Sequence, residues 1–422
     1  MKKFLFISVM LIILCLNGCN KNETLNENSK YFYNVINDPG FIQQYASPYT
    51  AMYENEDGTA DLYIFYSPTL YREDGLYKLI DNTLIEESFE RFTNKGNNIN
   101  VSIPKKLKEN FIVSNDYEVS FNFVNYKDFS KGERVIFKNM YGDEVSAIKY
   151  QSKCAILYVY PSNIGIKFEL HTKDNFEKDL KISVNGDYNC LNNGTVVFSQ
   201  NGENIFVVQK PIIKDAYNNI KTEDIRLEDN NMLCIDIAGE NVIDLSFDYS
   251  VESCPDAVIN SDGSTPSYLS NIIELASNEN SEYYVRSKFQ WFFNTIREED
   301  INKSCFNFYV LNDCTSEIDV SVVNEQWSSS MLTWSNRILN TQFLTRNNVS
   351  LSLNSIDITE YSKNCWRYDP YFENKGLVFQ NVGDENVIFL SNDNSKYYPY
   401  IKISLKKRPI YSILNTQFIS VD

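Results

Sequence analysis

Apolar and polar positions alternate along much of the chain, which is the period of a β-strand with one buried face. Val119-Ser-Phe-Asn-Phe123 and Ile164-Gly-Ile-Lys-Phe-Glu-Leu170 alternate strictly, so both are predicted as strands of this kind. Helical periodicity is weak between residues 45 and 260, where residues 84–92 are its best candidate. The pattern therefore predicts an all-β protein rather than an α/β fold.

Turn signals separate the predicted strands at short intervals. Asn-Gly pairs begin at Asn185, Asn193 and Asn201, and Asp-Gly pairs begin at Asp57 and Asp74. Because both central residues of a type I′ turn have positive φ, these pairs favour tight β-hairpins. The N-terminal half of the chain is therefore predicted to be an antiparallel β-sandwich or a stack of consecutive hairpins.

Changes in composition divide the chain into segments. A Ser-, Gly- and Pro-rich stretch at residues 261–266 is the clearest internal boundary, and residues 267–276 are predicted as a short helix after it. The predicted segments are residues 1–19, a signal peptide; 20–44, a polar flexible tether; 45–260, the β-rich region; 261–281, a linker; 282–407, a second β domain; and 408–422, a C-terminal tail.

The first nineteen residues have the composition of a secretion signal. Two lysines follow Met1, and the apolar run over residues 4–16 is too short to cross a membrane. Leu16-Asn-Gly-Cys19 then resembles a bacterial lipobox, with Gly18 before the Cys19 that would be acylated. An ordinary cleaved signal peptide with a chance cysteine is the alternative. The lipobox predicts a membrane-anchored, extracytoplasmic lipoprotein that contacts the membrane only through its lipid.

Charge and cysteine content narrow the choice of partners. The formal net charge of −17 makes the chain a poor ligand for nucleic acid or an anionic membrane surface. Seven cysteines follow Cys19 at irregular spacing without a Cys-x-x-Cys pair, which gives no support to a zinc knuckle. The odd count predicts mostly free, buried thiols. These cysteines are Cys154, Cys190, Cys234, Cys254, Cys305, Cys314 and Cys365.

The sequence contains no recognisable catalytic motif. Its single histidine, His171, lies on the strand face of Lys167 and Glu169, which is predicted to be solvated. None of the 56 acidic residues forms a local pair that points to glycosidase chemistry, so these acids too are predicted to be solvated. P-loop, HExxH and EF-hand patterns are also absent. We therefore expect no enzyme, catalytic residue, metal site or cofactor, although a structural Ca²⁺ remains an open alternative.

A series of pieces over residues 282–407 resembles the DNRLRE domain of bacterial surface proteins. It begins with Trp327-Ser-Ser-Ser-Met-Leu-Thr-Trp334, where serines replace the acidic residue often found between the two tryptophans of that family. The resemblance implies a jelly-roll-like β-sandwich of the kind grouped with carbohydrate-binding modules. The matching residues are Trp327, Thr333, Trp334, Asn336, Asp357, Thr359, Trp366, Asn374, Gly376, Leu377, Ser391 and Pro399.

The N-terminal region has a second, looser resemblance. Asp74-Gly-Leu-Tyr-Lys-Leu-Ile-Asp-Asn-Thr-Leu84 is similar to a stretch near the start of wall-associated YD-repeat (RHS-like) proteins, with Tyr77 at its aromatic position. In those proteins this β-rich region precedes DNRLRE-type modules, as it does here. The resemblance implies the display part of such a protein without its cargo shell.

The expected function is non-catalytic adhesion to a cell-wall or host polysaccharide. The three signature tryptophans are predicted to fill the core, with a sugar-stacking platform as the alternative. A structural spacer, or a shortened YD-repeat protein, is the second functional hypothesis, and a glycan-active enzyme is the third. The aromatic residues predicted to face a ligand are Tyr368, Tyr371, Tyr397, Tyr398 and Tyr400.

Overall fold

The chain folds almost entirely into β-strands. The computed structural model describes residues 40–124, 128–140, 144–173, 176, 180–184, 188–190, 195–200, 203–217, 219–228, 232–249, 256–262, 272–286, 296–329, 331–366, 374–391 and 399–409. The first described strands are β1 (Thr50–Glu54), β2 (Ala60–Phe65), β3 (Leu70–Glu73), β4 (Leu76–Leu79), β5 (Asp81–Ser88), β6 (Arg91–Gly96), β7 (Asn100–Pro104), β8 (Phe111–Ser114), β9 (Glu118–Val124), β10 (Glu133–Lys138), β11 (Glu144–Gln151), β12 (Ala155–Pro161), β13 (Gly165–Thr172), β14 (Leu180–Val184) and β15 (Tyr188–Cys190).

The later part of the described chain is also mostly β-strand, and it contains little helix. They are β16 (Val196–Gln200), β17 (Glu203–Val208), β18 (Ile212–Asp215), β19 (Ile220–Thr222), β20 (Arg226–Glu228), β21 (Met232–Ile235), β22 (Asn241–Tyr249), β23 (Asp256–Asn260), β24 (Ile272–Leu275), β25 (Ser281–Val285), β26 (Ile301–Val323), β27 (Thr341–Asp357), β28 (Leu377–Asn381), β29 (Val387–Leu390) and β30 (Tyr400–Leu405). The described helices are α1 (Thr359–Trp366) and the 3₁₀ turns Gln43–Tyr45, Glu298–Asp300 and Trp334–Asn336.

Residues 81–249 form one antiparallel β-sandwich, which we call the inserted module. One sheet has the strand order β20-β21-β14-β9-β8-β7-β6-β5. The other has the order β10-β11-β12-β13-β22-β17-β16-β15, with β18 and β19 attached through β22. Inward-facing apolar side chains of both sheets share one core, in which the ring of Phe121 stacks on that of Phe247 at 4.5 Å and Phe168 meets both edge-on. This burial is the main stabilising contribution to the module.

Strands from both ends of the described chain form a second ten-stranded sheet, which we call the terminal module. Its order is β1-β2-β30-β26-β28-β25-β23, with β24, β27 and β29 attached through β26 and each other. The 23-residue strand β26 is its spine because it pairs with β27, β28, β29 and β30 in turn. Irregularities between Val310 and Thr315 and between Val320 and Ser321 interrupt its pairing with β27. The described ladders in both modules are antiparallel, so the predicted all-β sandwich class is confirmed.

Strand pairing divides the chain differently from the predicted domain boundaries. Strand β2 pairs with β30 from Ala60↔Leu405 to Phe65↔Tyr400, so the start of the predicted N-terminal region belongs to the terminal module. The predicted linker, residues 261–281, lies within that module as well, because β24 pairs with β29 and β25 with β28. The predicted helix at residues 267–276 is wrong over Ile272–Leu275, which is strand β24. These pairings join residues far apart in sequence, which local composition cannot indicate.

The predicted turns have mixed outcomes. The Asp57-Gly58 and Asp74-Gly75 turns are confirmed, since they connect the β1–β2 and β3–β4 ladders. The ladders β15–β16 and β16–β17 confirm hairpins around the next two Asn-Gly pairs. The hairpin predicted at Asn185 is wrong, because β14 and β15 lie in different sheets. The best helical candidate, residues 84–92, is instead the β5–β6 hairpin, whose outward side chains are exposed at the sheet edge.

Several predictions fall on residues outside the described part. These are the signal peptide with Cys19, the tether up to residue 39, the tail from residue 410, and the side chains of Tyr368, Tyr371, Tyr397, Tyr398 and Trp366. Of the seven later cysteines, the five whose side chains the structure describes are free thiols, as predicted; the side chain of Cys190 and the whole of Cys254 lie outside the described part. In the described residues there is no helix both long and apolar enough to span a membrane.

Candidate functional site

The signature tryptophans lie in the loop between β26 and β27, residues 324–340, which we call the Trp loop. The indole Nε1 of Trp327 donates to the Lys375 carbonyl oxygen at 2.6 Å, and its ring meets the Tyr284 ring at a centroid distance of 5.8 Å. The guanidinium of Arg286 lies over this ring, 5.0 Å from its centroid, and donates to the Trp327 carbonyl oxygen at 2.9 Å. Ring and loop backbone are thus held to β25 and to the start of β28.

The second tryptophan sits on a short 3₁₀ turn that begins with a capping box between Thr333 and Asn336. Asn336 Oδ1 accepts hydrogen bonds from the Thr333 backbone N–H at 2.6 Å and from the Thr333 hydroxyl at 2.9 Å. The Arg337 guanidinium lies over the Trp334 ring at 4.3 Å and donates to the Trp334 carbonyl oxygen at 3.1 Å. The signature residues Thr333, Trp334 and Asn336 therefore form a backbone motif that fixes the ring position.

Both tryptophans are only half-buried, so the prediction that they fill the core is wrong. They pack on a small apolar cluster on the outer side of the terminal sheet, separate from the main core. The loop covers this cluster and leaves part of each ring exposed to solvent. The cluster consists of Ala257, Ile259, Tyr284, Val323, Leu332, Ile338 and Val378.

The Trp loop presents both apolar and charged groups to solvent. Met331 and Leu339 are 73% and 80% exposed. Glu282 accepts a hydrogen bond from the Tyr284 hydroxyl at 2.5 Å and lies 3.7 Å from the Arg337 guanidinium. Burial raises the pKa of Glu282, which its hydrogen bond with Tyr284 partly opposes. Exposed apolar side chains next to oriented guanidinium donors are a combination that can contact the C–H faces and the hydroxyls of a sugar.

Other signature residues have structural roles. Asp357 Oδ1 accepts from the backbone N–H of Thr359 at 2.9 Å and from its hydroxyl at 2.6 Å, which caps the start of α1. Asn374 Oδ1 accepts from the Tyr361 hydroxyl at 2.6 Å and from the Gly376 N–H at 3.1 Å. The remaining three, Leu377, Ser391 and Pro399, are buried.

Of the predicted ligand-facing tyrosines, Tyr400 alone is in the described part. It lies half-buried on the outer side of β30, where its ring meets that of Tyr63 at 6.3 Å. The other four predicted tyrosines lie outside the described residues, so the ligand-facing set predicted from the sequence stays a prediction.

A cluster of ionisable groups is buried on β13 and β22, and sequence reasoning missed it. Lys167 Nζ lies 3.0 Å from Asp244 Oδ2, with side-chain exposures of 3% and 0%. Glu169 is fully buried opposite Asp244, and its Oε2 accepts from the Met140 N–H at 2.8 Å. The predicted wet face of β13 is therefore wrong, as is the prediction that its acids are solvated. Charged and apolar residues alternate here as they would on a strand with one solvated face. The sequence pattern therefore cannot distinguish a solvated charged face from a buried one, and only the tertiary packing does.

His171 lies at the margin of this cluster. Its Nε2 is 2.6 Å from Glu169 Oε1, its side chain is 38% exposed, and the ring of Tyr158 meets it edge-on at 5.3 Å. Burial raises the pKa of Glu169, while the bonds from His171 and the Met140 N–H counteract that shift. A half-buried histidine oriented by a buried carboxyl replaces the solvated histidine that the sequence predicts.

No group of three or more His, Cys, Asp or Glu side chains among the described residues is arranged to hold a metal ion. Tyr160, Ser162 and Gln209 share the face of Lys167 and Asp248, and all three are buried. The cluster thus contains several side-chain oxygen atoms, but its described carboxylates are not grouped as the ligands of a Ca²⁺ site are.

Comparisons with known proteins give little further guidance. No family model matches the chain, and no curated protein matches it. The tandem CBM22 domains of Paenibacillus barcinonensis Xyn10C are 8% identical, with a TM-score of 0.13 over 68% of this chain and 92% of theirs. A Paenibacillus xanthan lyase is 5% identical, with a TM-score of 0.12 over 88% of this chain and 39% of the lyase. At these TM-scores neither similarity supports an argument about this chain, and the DNRLRE and YD-repeat resemblances stay predictions.

Proposed function

We propose that the chain is a lipid-anchored surface protein that binds polysaccharide without cleaving it, and that the Trp loop is its binding surface. The observation that carries the proposal is the pairing of each half-exposed tryptophan with a guanidinium at fixed geometry, next to exposed apolar side chains. Binding residues commonly lie on loops that a rigid β-scaffold positions.

The surface has a chemical balance suited to a neutral or weakly charged glycan. Arg286 and Arg337 each cover a tryptophan face, so a sugar would meet the ring edges and the Met331 and Leu339 side chains. Guanidinium N–H groups and the Glu282 carboxyl would hydrogen-bond its hydroxyls. Few such contacts can form at once, so the expected affinity is micromolar to millimolar, about −4 to −8 kcal/mol. Many copies on one lipid surface would add avidity.

A glycan array probed with the chain from residue 20 onward tests the proposal. The double variant Met331→Asp and Leu339→Asp should reduce binding at least tenfold, because it places charge where apolar contact is needed. Tyr217→Asp is the matched control, since Tyr217 is 85% exposed but belongs to the inserted module. Equal loss in both variants would exclude the Trp loop as the binding surface.

Two further results would favour the alternative functions. A folded protein that binds no glycan would support the structural spacer. Release of reducing ends or of unsaturated sugars from a bound glycan would support a glycan-active enzyme.

The anchor has its own test in the full chain. Because acylation needs the Cys19 thiol, Cys19→Ala should leave an uncleaved precursor or release the protein from the membrane fraction. An unchanged processed size and unchanged fractionation would contradict lipidation at this residue.

A further inference from the structure

The ionisable cluster lies where the two modules meet. Ile212 is paired directly with Asp244, so both side chains are on the same face of the sheet. Ile212 packs against Ile272 and Leu390, which belong to β24 and β29 of the terminal module. The polar face of the inserted module is therefore covered, in part, by apolar side chains of the terminal module. This explains why groups such as Lys167 are almost completely removed from water.

The cluster contains more buried carboxyl groups than it can neutralise as ions. Three carboxyl groups, those of Glu169, Asp244 and Asp248, share this face with two basic side chains among the described residues. Lys167 pairs with Asp244 at 3.0 Å, and His171 contacts Glu169 at 2.6 Å. An additional uncompensated carboxylate in such a site is strongly unfavourable, so a buried acid without a cation tends to stay protonated.

Two buried acceptors on adjacent strands of this face have no hydrogen-bond donor. They are Oδ2 of Asp248 and Oε1 of Gln209, both on side chains about 2% exposed. The N–H of Gln209 donates to the Ser246 carbonyl oxygen, and Val207 is paired with Asp248, so the two side chains are diagonal neighbours on β17 and β22. The other Asp248 oxygen accepts from the Ser162 hydroxyl at 3.4 Å. A single proton on Asp248 would turn one of these two acceptors into a donor for the other.

We propose that Asp248 carries a proton in mildly acidic solution and donates it from Oδ2 to the Gln209 amide oxygen, which makes the buried polar face of β13 and β22 less stable as the pH rises to neutral. The charged groups that act on Asp248 are Lys167 from β13 and Asp244 from its own strand. The Ser162 hydroxyl donates to Asp248 from the β12 side, and Tyr160 lies on the same sheet face. The apolar side chains of the terminal module cover this face at Ile212, beside Asp244. Burial and, to a smaller extent, the charge of Asp244 raise the pKa of Asp248 to about 7, against the lowering effects of Lys167 and the Ser162 hydrogen bond.

The sign of the pH dependence follows from this raised pKa. Between about pH 4 and pH 7 the folded protein holds a proton that the unfolded chain has released, so the contribution of Asp248 to stability falls as the pH rises. Above about pH 7 both states are ionised and the contribution no longer changes. From pH 5 to pH 8 the predicted change is roughly a hundredfold in the opening equilibrium.

Hydrogen exchange of the full chain, read on peptides from β13 and β22 at pH 5 and pH 8, tests the proposal. After correction for intrinsic rates, wild-type protection should fall about a hundredfold more than that of Asp248→Asn, whose neutral amide can donate to Gln209 at every pH. Asp300→Asn is the matched control, because it removes a buried carboxyl of the terminal module and should leave the wild-type trend intact. Gln209→Met should lower protection at pH 5, where the proton would lose its acceptor.

Three results would overturn the proposal. In the first, Asp248→Asn follows the wild-type pH trend, which would mean that Asp248 does not cause it. In the second, Asp248→Asn loses protection at pH 5, which would mean that the wild-type protein needs an ionised Asp248 there. Added Na⁺ or Ca²⁺ could raise protection in the wild type alone, which would identify the missing partner of the two acceptors as a cation rather than a proton.

Discussion

At the scale of single residues, backbone geometry explains the signature best at Gly376. Its φ of +99° lies in a region that disfavours L-residues with a side chain, and a Cβ atom there would lie 2.4 Å from the Val285 carbonyl oxygen. The Gly376 carbonyl oxygen accepts from the Val323 N–H at 3.0 Å, so the position links β26 to the start of β28. The signature therefore needs glycine at this position because the backbones of β25 and β28 approach closely there.

Gly376→Ala is expected to destabilise the terminal module by about 2–3 kcal/mol, through both the disfavoured φ and the clash with β25. Denaturant unfolding followed by tryptophan fluorescence would measure it. The matched control is Gly58→Ala in the β1–β2 turn, which has a similar φ of +79° but open space at its Cβ position. The control should cost about 1 kcal/mol, and equal losses would mean that the clash with Val285 contributes nothing.

At the scale of elements, the residues of the Trp loop could be predicted from the sequence, but the degree of burial of its tryptophans could not. Its rings lie on the outer face of β23, β25 and β28, where they cover a satellite cluster instead of joining the main core. The same difference applies to β13, whose alternation is real although both of its faces are buried. A strand pattern reports which side chains share a face, and the elements that pack on that face decide its environment.

Trp334→Ala should cost about 1–2 kcal/mol, less than the 3–5 kcal/mol typical of a core tryptophan, because the ring is half-buried. The loss should be local, with faster hydrogen exchange over residues 324–340 and little change in β26. Global unfolding of the terminal module in this variant would instead mean that Trp334 contributes to the main core.

At the scale of the whole molecule, the inserted module interrupts the terminal module in sequence. Strands β1 and β2 come before it and β23 to β30 after it, yet they share one sheet and one core. The predicted independent domain, residues 282–407, would lack β1, β2, β23 and β24. Strands β30, β29 and β25 would each lose a partner.

The two modules should consequently behave differently as fragments. Residues 81–249 contain both sheets and the core of the inserted module, so this fragment should fold alone and unfold cooperatively. Residues 282–407 should remain unfolded or aggregate, since they expose unpaired strand edges and part of a core. Circular dichroism with thermal unfolding of each fragment decides the matter, and a cooperative transition in residues 282–407 would contradict the shared sheet.

The sequence by itself determined the fold class, most individual strands, four of the five predicted Gly turns and the free state of the described cysteines. These depend on side-chain period, φ preference and spacing, which are local properties. Tertiary structure decided that β2 pairs with β30, that the tryptophans lie outside the main core, and that Lys167, Glu169, Asp244 and Asp248 are buried together. Each of these depends on contacts between residues far apart in the chain. A strand with alternating charged and apolar residues has the same sequence pattern whether its charged face is solvated or buried. Only the module that packs against this face decides between the two.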